Sequence, residues 1–118
     1  MASSTVTLPK SVMSALARDF EMNGEEEILA FLERYPAVLP LLPEIRSKIR
    51  SFFGEDAVRL EVFVDPEWEE APPELFAVIR TKLGPRLALE RVHRFDREWW
   101  LQRLTEANVP VVVSFDLI

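Results

Sequence analysis

A chain of 118 residues is long enough to bury roughly two thirds of the surface it exposes when unfolded, so one domain needing neither metal nor cross-link is expected; with no cysteine, disulfides, thiolate metal sites and cysteine nucleophiles are all excluded. The formal net charge is −6, and an acidic domain with no basic stripe argues against nucleic acid, whose binding draws on cations placed against phosphate. The longest apolar run, Val109 to Val113, contains a proline and is too short to span a bilayer, and Met1 to Pro9 has no signal-peptide pattern, so a cytoplasmic protein with no membrane partner is expected.

The charge is unevenly placed. Residues 55–80 carry eight acidic and two basic side chains, while the segments before and after them are close to balanced. A basic protein surface, or a second copy of the chain, is therefore the partner this charge suggests.

The first eight residues are small, polar and β-branched, and read as frayed. From Pro9, Val12, Met13, Leu16, Ala17 and Phe20 recur at helical spacing, and the helix is expected to end at Asn23 and Gly24. Glu25, Glu26 and Glu27 suit the first turn of a second helix, with Ile28, Leu29, Phe31 and Leu32 as its apolar side, stopping before Pro36. An apolar linker, Ala37 to Leu42, must pack inward. Pro43 is expected to open a third helix with Ile45, Ile49, Phe52 and Phe53 on one side, Arg46, Lys48 and Arg50 on the other, and Gly54 at its end.

The period then changes. Val58, Leu60, Val62 and Val64 alternate with Arg59, Glu61, Phe63 and Asp65, the mark of a strand with one apolar face. Leu75, Ala77 and Ile79 alternate with Phe76, Val78 and Arg80, so an antiparallel hairpin closed by a long acidic loop is expected. A helix from Pro85 to Leu104 and a last strand from Val109 follow. The fold class is α+β: N-terminal helices over residues 9–54, then β-β-α-β over 58–118, with a three-stranded sheet packed against the long C-terminal helix and its last strand beside either strand of the hairpin.

At about 100° per residue, Ala88, Leu89, Val92, Phe95, Trp99 and Trp100 converge on one side of that helix, with Trp99 near the centre of the stripe and Trp100 at its margin. Asp96 falls inside the stripe, where an unpaired carboxylate is costly. Three roles are open to it: an N-cap restarting the helix, a partner for Arg59, Arg80, Arg103 or an indole, or a functional acid. His93 precedes it by three residues, yet nothing completes a metal site. Trp68, among Glu67, Glu69 and Glu70, is either folded back or exposed as a recognition residue, and tryptophan is enriched at binding hot spots.

Leu60, Glu61 and Val62, then Asp65, Pro66 and Glu67, then Glu74, Leu75 and Phe76, and finally Leu89, Glu90, Arg91, Arg94, Phe95, Asp96, Glu98, Trp99, Trp100 and Leu101 resemble a group of small, stand-alone bacterial proteins of unknown function that share an FDxEWWL helix before a C-terminal strand. The resemblance covers roughly residues 58–118. It implies the same α+β half and no activity; where such proteins place a glycine or basic turn before the last strand, this chain has Asn108, Val109 and Pro110.

No phosphate loop, nucleophile elbow or metal-ligand cluster is present in the sequence, so no cofactor, metal or catalytic residue is assigned. The leading expectation is a non-catalytic protein-protein interaction or regulatory adaptor, an antitoxin-like acidic partner, with Trp68, Glu67, Glu69, Glu70, Trp100 and Asp96 as candidate partner-binding residues. Two alternatives remain. One is a winged-helix-like DNA-binding protein using Arg46, Lys48 and Arg50. The other is a small enzyme with a polar site on the second sheet face, assembled from Arg59, Glu61, Arg80, Ser114 and Asp116, a set that equally makes a cross-strand ion-pair lattice.

Overall fold

The computed structural model describes residues 10–118; the expected frayed segment Met1 to Leu8 and the helix opening at Pro9 lie outside the described residues. The elements run α1 (Lys10–Asp19), β1 (Glu21–Asn23), α2 (Glu25–Arg34), a short 3-10 turn (Pro36–Val38), α3 (Leu41–Phe53), β2 (Ala57–Phe63), β3 (Glu74–Thr81), α4 (Pro85–Phe95), a π-helical turn (Asp96–Trp100), α5 (Leu101–Ala107) and β4 (Val111–Leu117). The class is α+β. The sheet, however, has four strands in the order β1-β2-β3-β4, not three.

The additional strand is β1. Residues 20–23 read as the end of the first helix, but α1 stops at Asp19 and Glu21 to Asn23 pair in parallel with Arg59 to Glu61 of β2. Three residues carry too little pattern to announce a strand, and the pairing is supplied by a segment far along the chain. Gly24, at φ 83°, then turns the chain into α2, a left-handed conformation that glycine reaches without a Cβ penalty.

The hairpin registers as its alternation requires. Val58 faces Ile79, Leu60 faces Ala77 and Val62 faces Leu75 across the antiparallel β2–β3 pair. β4 lies beside β3, not β2, running parallel to it with Val111 opposite Leu75, Val113 opposite Ala77 and Phe115 opposite Ile79. One sheet face is thereby apolar apart from Thr81 at the end of β3, which is fully buried. That face joins Ile28, Leu32, Leu41, Leu42, Ile45, Ile49 and Phe95 in one core cluster, where each fully buried aliphatic side chain is worth about 1.5–3 kcal/mol. The apolar linker before α3 is part of that core: Val38, Leu41 and Leu42 are fully buried, and α3 starts at Leu41, two residues before Pro43.

The other sheet face stays open. It carries Glu21, Arg59, Glu61, Phe63, Phe76, Arg80, Ser114 and Asp116, all of them at least partly exposed, around Val78, which is buried at 4% exposure. Among the described residues no helix is long and apolar enough to cross a membrane.

The long helix departs from a regular wheel. The Leu101 N–H donates to the Asp96 carbonyl, five residues back, so the turn holds one extra residue and each residue in it advances by less than 100°. This under-rotation exchanges the two tryptophans. Trp100, expected at the margin, swings into the core at 3% exposure, while Trp99, expected at the centre, becomes half-buried. Phe95 holds both, with ring centroids 5.7 Å from Trp99 and 6.3 Å from Trp100. Leu89, a full 100° from Ala88, lies outside the stripe and is exposed.

Candidate protein-interaction surface

The loop joining β2 to β3, residues 64–73, is built from residues that cannot extend a strand. Asp65 Oδ1 accepts a hydrogen bond from the Glu67 N–H at 2.9 Å, an Asx turn, and the Ala71 N–H donates to the Trp68 carbonyl at 3.0 Å. Pro66, Pro72 and Pro73 fix φ on both sides of these turns. At the base, the Leu75 N–H donates to the Pro110 carbonyl at 2.9 Å, tying the loop to the start of β4.

Two successive turns push Trp68 outward, so that it is exposed and not folded back, with 61% of its surface free. Phe63 and Val64, at 47% and 56%, extend the apolar surface down to the sheet, where Phe63 meets Phe76 edge-to-face at 5.9 Å. Between them is a hollow of about 280 Å³ bordered by Phe63, Trp68, Ala71, Pro72 and Pro110, with Asp65 and Glu74 on its rim. Glu67, Glu69 and Glu70 flank the tryptophan in sequence and are exposed. None of these five acids forms an ion pair among the described residues. An open indole flanked in sequence by unneutralised carboxylates suits the long side chain of Arg or Lys, whose stem takes apolar contact and whose head takes charge and the ring face.

Phe63 and Val64 were not among the sequence candidates. The available signal was Phe63 itself, an aromatic on the strand face otherwise occupied by Arg59 and Glu61.

Trp100 and Asp96 belong elsewhere. Trp100 is sealed in the core by the π turn and offers nothing to a partner. Asp96 is half-buried in the helical layer. It does not cap a second helix, for its backbone is right-handed helical and no side-chain capping bond is made. Nor does it have an arginine: Arg59 bonds Glu61 at 2.9 Å and Asp116 at 2.8 Å, Arg80 bonds Glu21 at 3.2 Å, and Arg103 holds Glu44 with two bonds of 3.1 Å. Burial raises the Asp96 carboxyl above its ordinary pKa, and the nearby His93 offsets this only in part.

The polar set on the open sheet face comes together as a lattice of charge pairs, Arg59 bridging Glu61 to Asp116 and Arg80 reaching Glu21. Its carboxylates are occupied by guanidinium groups. On α3 the basic side is largely spent within the fold: Arg46 is buried at 5% exposure, Arg50 lies 3.8 Å from Asp19 and 3.7 Å from Glu55, and Lys48 stands over the Trp99 ring at 5.9 Å. Among the described residues, no group of three or more His, Cys, Asp or Glu side chains could hold a metal ion.

Comparisons with protein-family models, with curated proteins and with solved structures give no match to this chain.

Proposed function

We propose that this protein is a non-catalytic interaction module whose acidic hairpin tip binds a basic protein surface. The observation that carries the reading is Trp68, exposed at 61% on a loop held by two hydrogen-bonded turns and flanked in sequence by unpaired acids. An indole kept in water is a cost to the free protein that a partner recovers, and tryptophan in such a position characteristically dominates binding energy. The acids act at longer range, raising the encounter rate with a cationic partner and disfavouring acidic ones. An antitoxin-like or adaptor role fits this arrangement.

The internal engagement of Arg46 and Arg50 counts against α3 as a DNA-reading helix, and an acidic tip is the wrong sign for a wing on phosphate. The pairing of Glu61, Asp116 and Glu21 with arginines occupies the three acids of the set from which a catalytic site on the open sheet face would be assembled, which counts against the enzyme reading.

The test is capture of partners from the native host on immobilised wild-type protein and on a Trp68→Ala variant, eluted by a salt gradient. A partner retained by the wild type, released by salt and lost with Trp68→Ala supports the reading. Recovery of the same proteins on both columns, or of none, overturns it.

A further inference from the structure

The molecule carries a second surface of opposite sign. On the outer side of α4 and the π turn, Arg86, Leu89, Glu90, His93, Arg94 and Arg97 line a groove of about 350 Å³. Arg94 bonds Glu98 at 3.1 Å, but neither Arg86 nor Arg97 has a carboxylate partner among the described residues, and both are exposed. Leu89, exposed at 48%, supplies the one apolar contact of that groove.

We infer that the occupant of this groove is the hairpin tip of a second copy of the chain, so that the module's basic partner is, in the first instance, itself; the inference rests on the tip being a docking surface. The two surfaces are complementary except at Glu90, the groove's one acid. Trp68 has an apolar seat in Leu89 and guanidinium groups beside it for its ring face, while Glu67, Glu69 and Glu70 meet Arg86 and Arg97. Arg86 is out of reach of its own tip: the tip springs from the end of the sheet where Glu74 begins β3, whereas Arg86 follows the far end of that eight-residue strand, about 23 Å along it, and among the described residues no ion pair joins the loop to α4.

Net charge opposes this association and contact charge favours it. Two copies at −6 each repel, but most of that repulsion acts over distances beyond the screening length of about 8 Å at physiological salt, while paired groups at the interface lie inside it. Moderate salt therefore removes the repulsion first, and high salt then removes the pairing.

The decisive experiment reverses each surface separately. A tip variant (Glu67→Lys, Glu69→Lys, Glu70→Lys) has two basic surfaces, and a groove variant (Arg86→Glu, Arg97→Glu) has two acidic ones; all five positions are exposed, and circular dichroism verifies folding. Wild-type protein should show a concentration-dependent mass above the monomer in sedimentation and light scattering, each variant alone should be monomeric, and an equimolar mixture of the two should associate again. Trp68→Ala should weaken wild-type association by about tenfold or more. A monomeric wild type at all concentrations, association unchanged by either reversal, or a mixture that stays monomeric would each overturn the inference. Titration with an arginine-rich peptide separates it from the wider reading: a monomeric protein that binds the peptide through Trp68 keeps the docking tip and loses only self-association, and one that binds no peptide loses both.

Discussion

The Arg46 Nε donates to the backbone carbonyl of Asp19 at 2.9 Å, and its Nη2 donates to the carbonyl of Asp56 at 3.2 Å. One guanidinium thus serves an orphan carbonyl at the C-terminal end of α1, where the helix dipole favours a cation, and the entry to β2. Arg46→Ala leaves both carbonyls without that donor and opens a void beneath them. Urea unfolding should show a loss of about 2–4 kcal/mol, and Arg46→Lys should recover part of it, because an ammonium spans the two acceptors less well than the fork does.

Trp68 and Trp100 are opposite experiments on one residue type. Trp100→Ala empties a core position that is 3% exposed and should cost about 3–5 kcal/mol. Trp68→Ala, at an exposed site, should change stability by no more than about 0.5 kcal/mol while removing binding. Chemical denaturation of both variants, read beside partner capture, separates the two roles.

Asp96 makes the fold less stable as pH rises. Its carboxyl pKa is raised by burial in the folded state, so the native protein holds that proton more tightly than the unfolded chain does. Stability from this group is full below the unfolded value and falls as pH passes from the ordinary 3.8 up through the raised folded value. Asp96→Asn should flatten that decline and stabilise the protein at neutral pH, by less than about 1 kcal/mol because solvent screens a half-exposed group. Melting curves of wild type and variant at acidic and neutral pH measure the sign.

Asn108 closes α5 at φ 51°, ψ 55°, the left-handed cap that glycine ordinarily supplies. Asparagine is among the residues that adopt this region with least penalty. Asn108→Gly should be neutral or slightly stabilising, whereas Asn108→Ala should cost about 1–2 kcal/mol in thermal unfolding.

Periodicity carried the sequence reading where elements were long. Alternation from Val58 to Val64 and from Leu75 to Arg80 located β2 and β3, and helical spacing located α2 and the apolar sides of α3 and α4. Elements whose geometry departs from the ideal period, or is imposed from a distance, leave no such trace in the sequence. β1 has three residues and owes its existence to β2. The fixed 100° advance misassigned Trp99 and Trp100 because a single π turn changes the phase of everything after Phe95. Candidate residues divide in the same way: the acidic loop is legible as a solvated tip, because proline and charge report solvent locally, but the sequence leaves open whether Trp68 folds back onto the domain, and the isolation of Asp96 depends on which carboxylates have already taken Arg59, Arg80 and Arg103.

The order of the strands also sets an order of events. The shortest connection between neighbouring strands joins β2 to β3; β1 waits for α2 and α3 before it can lie beside β2, and β4 waits for α4 and α5 before it reaches β3. Loop closure therefore favours the hairpin as the first pairing and leaves both outer strands to zip on late. In the native state the same hierarchy runs backwards. Amide hydrogens at the centre of β2 and β3 should be the last to exchange with solvent, and the acidic tip, projecting from the two most persistent strands, should keep its mount even while the sheet's margins open and close.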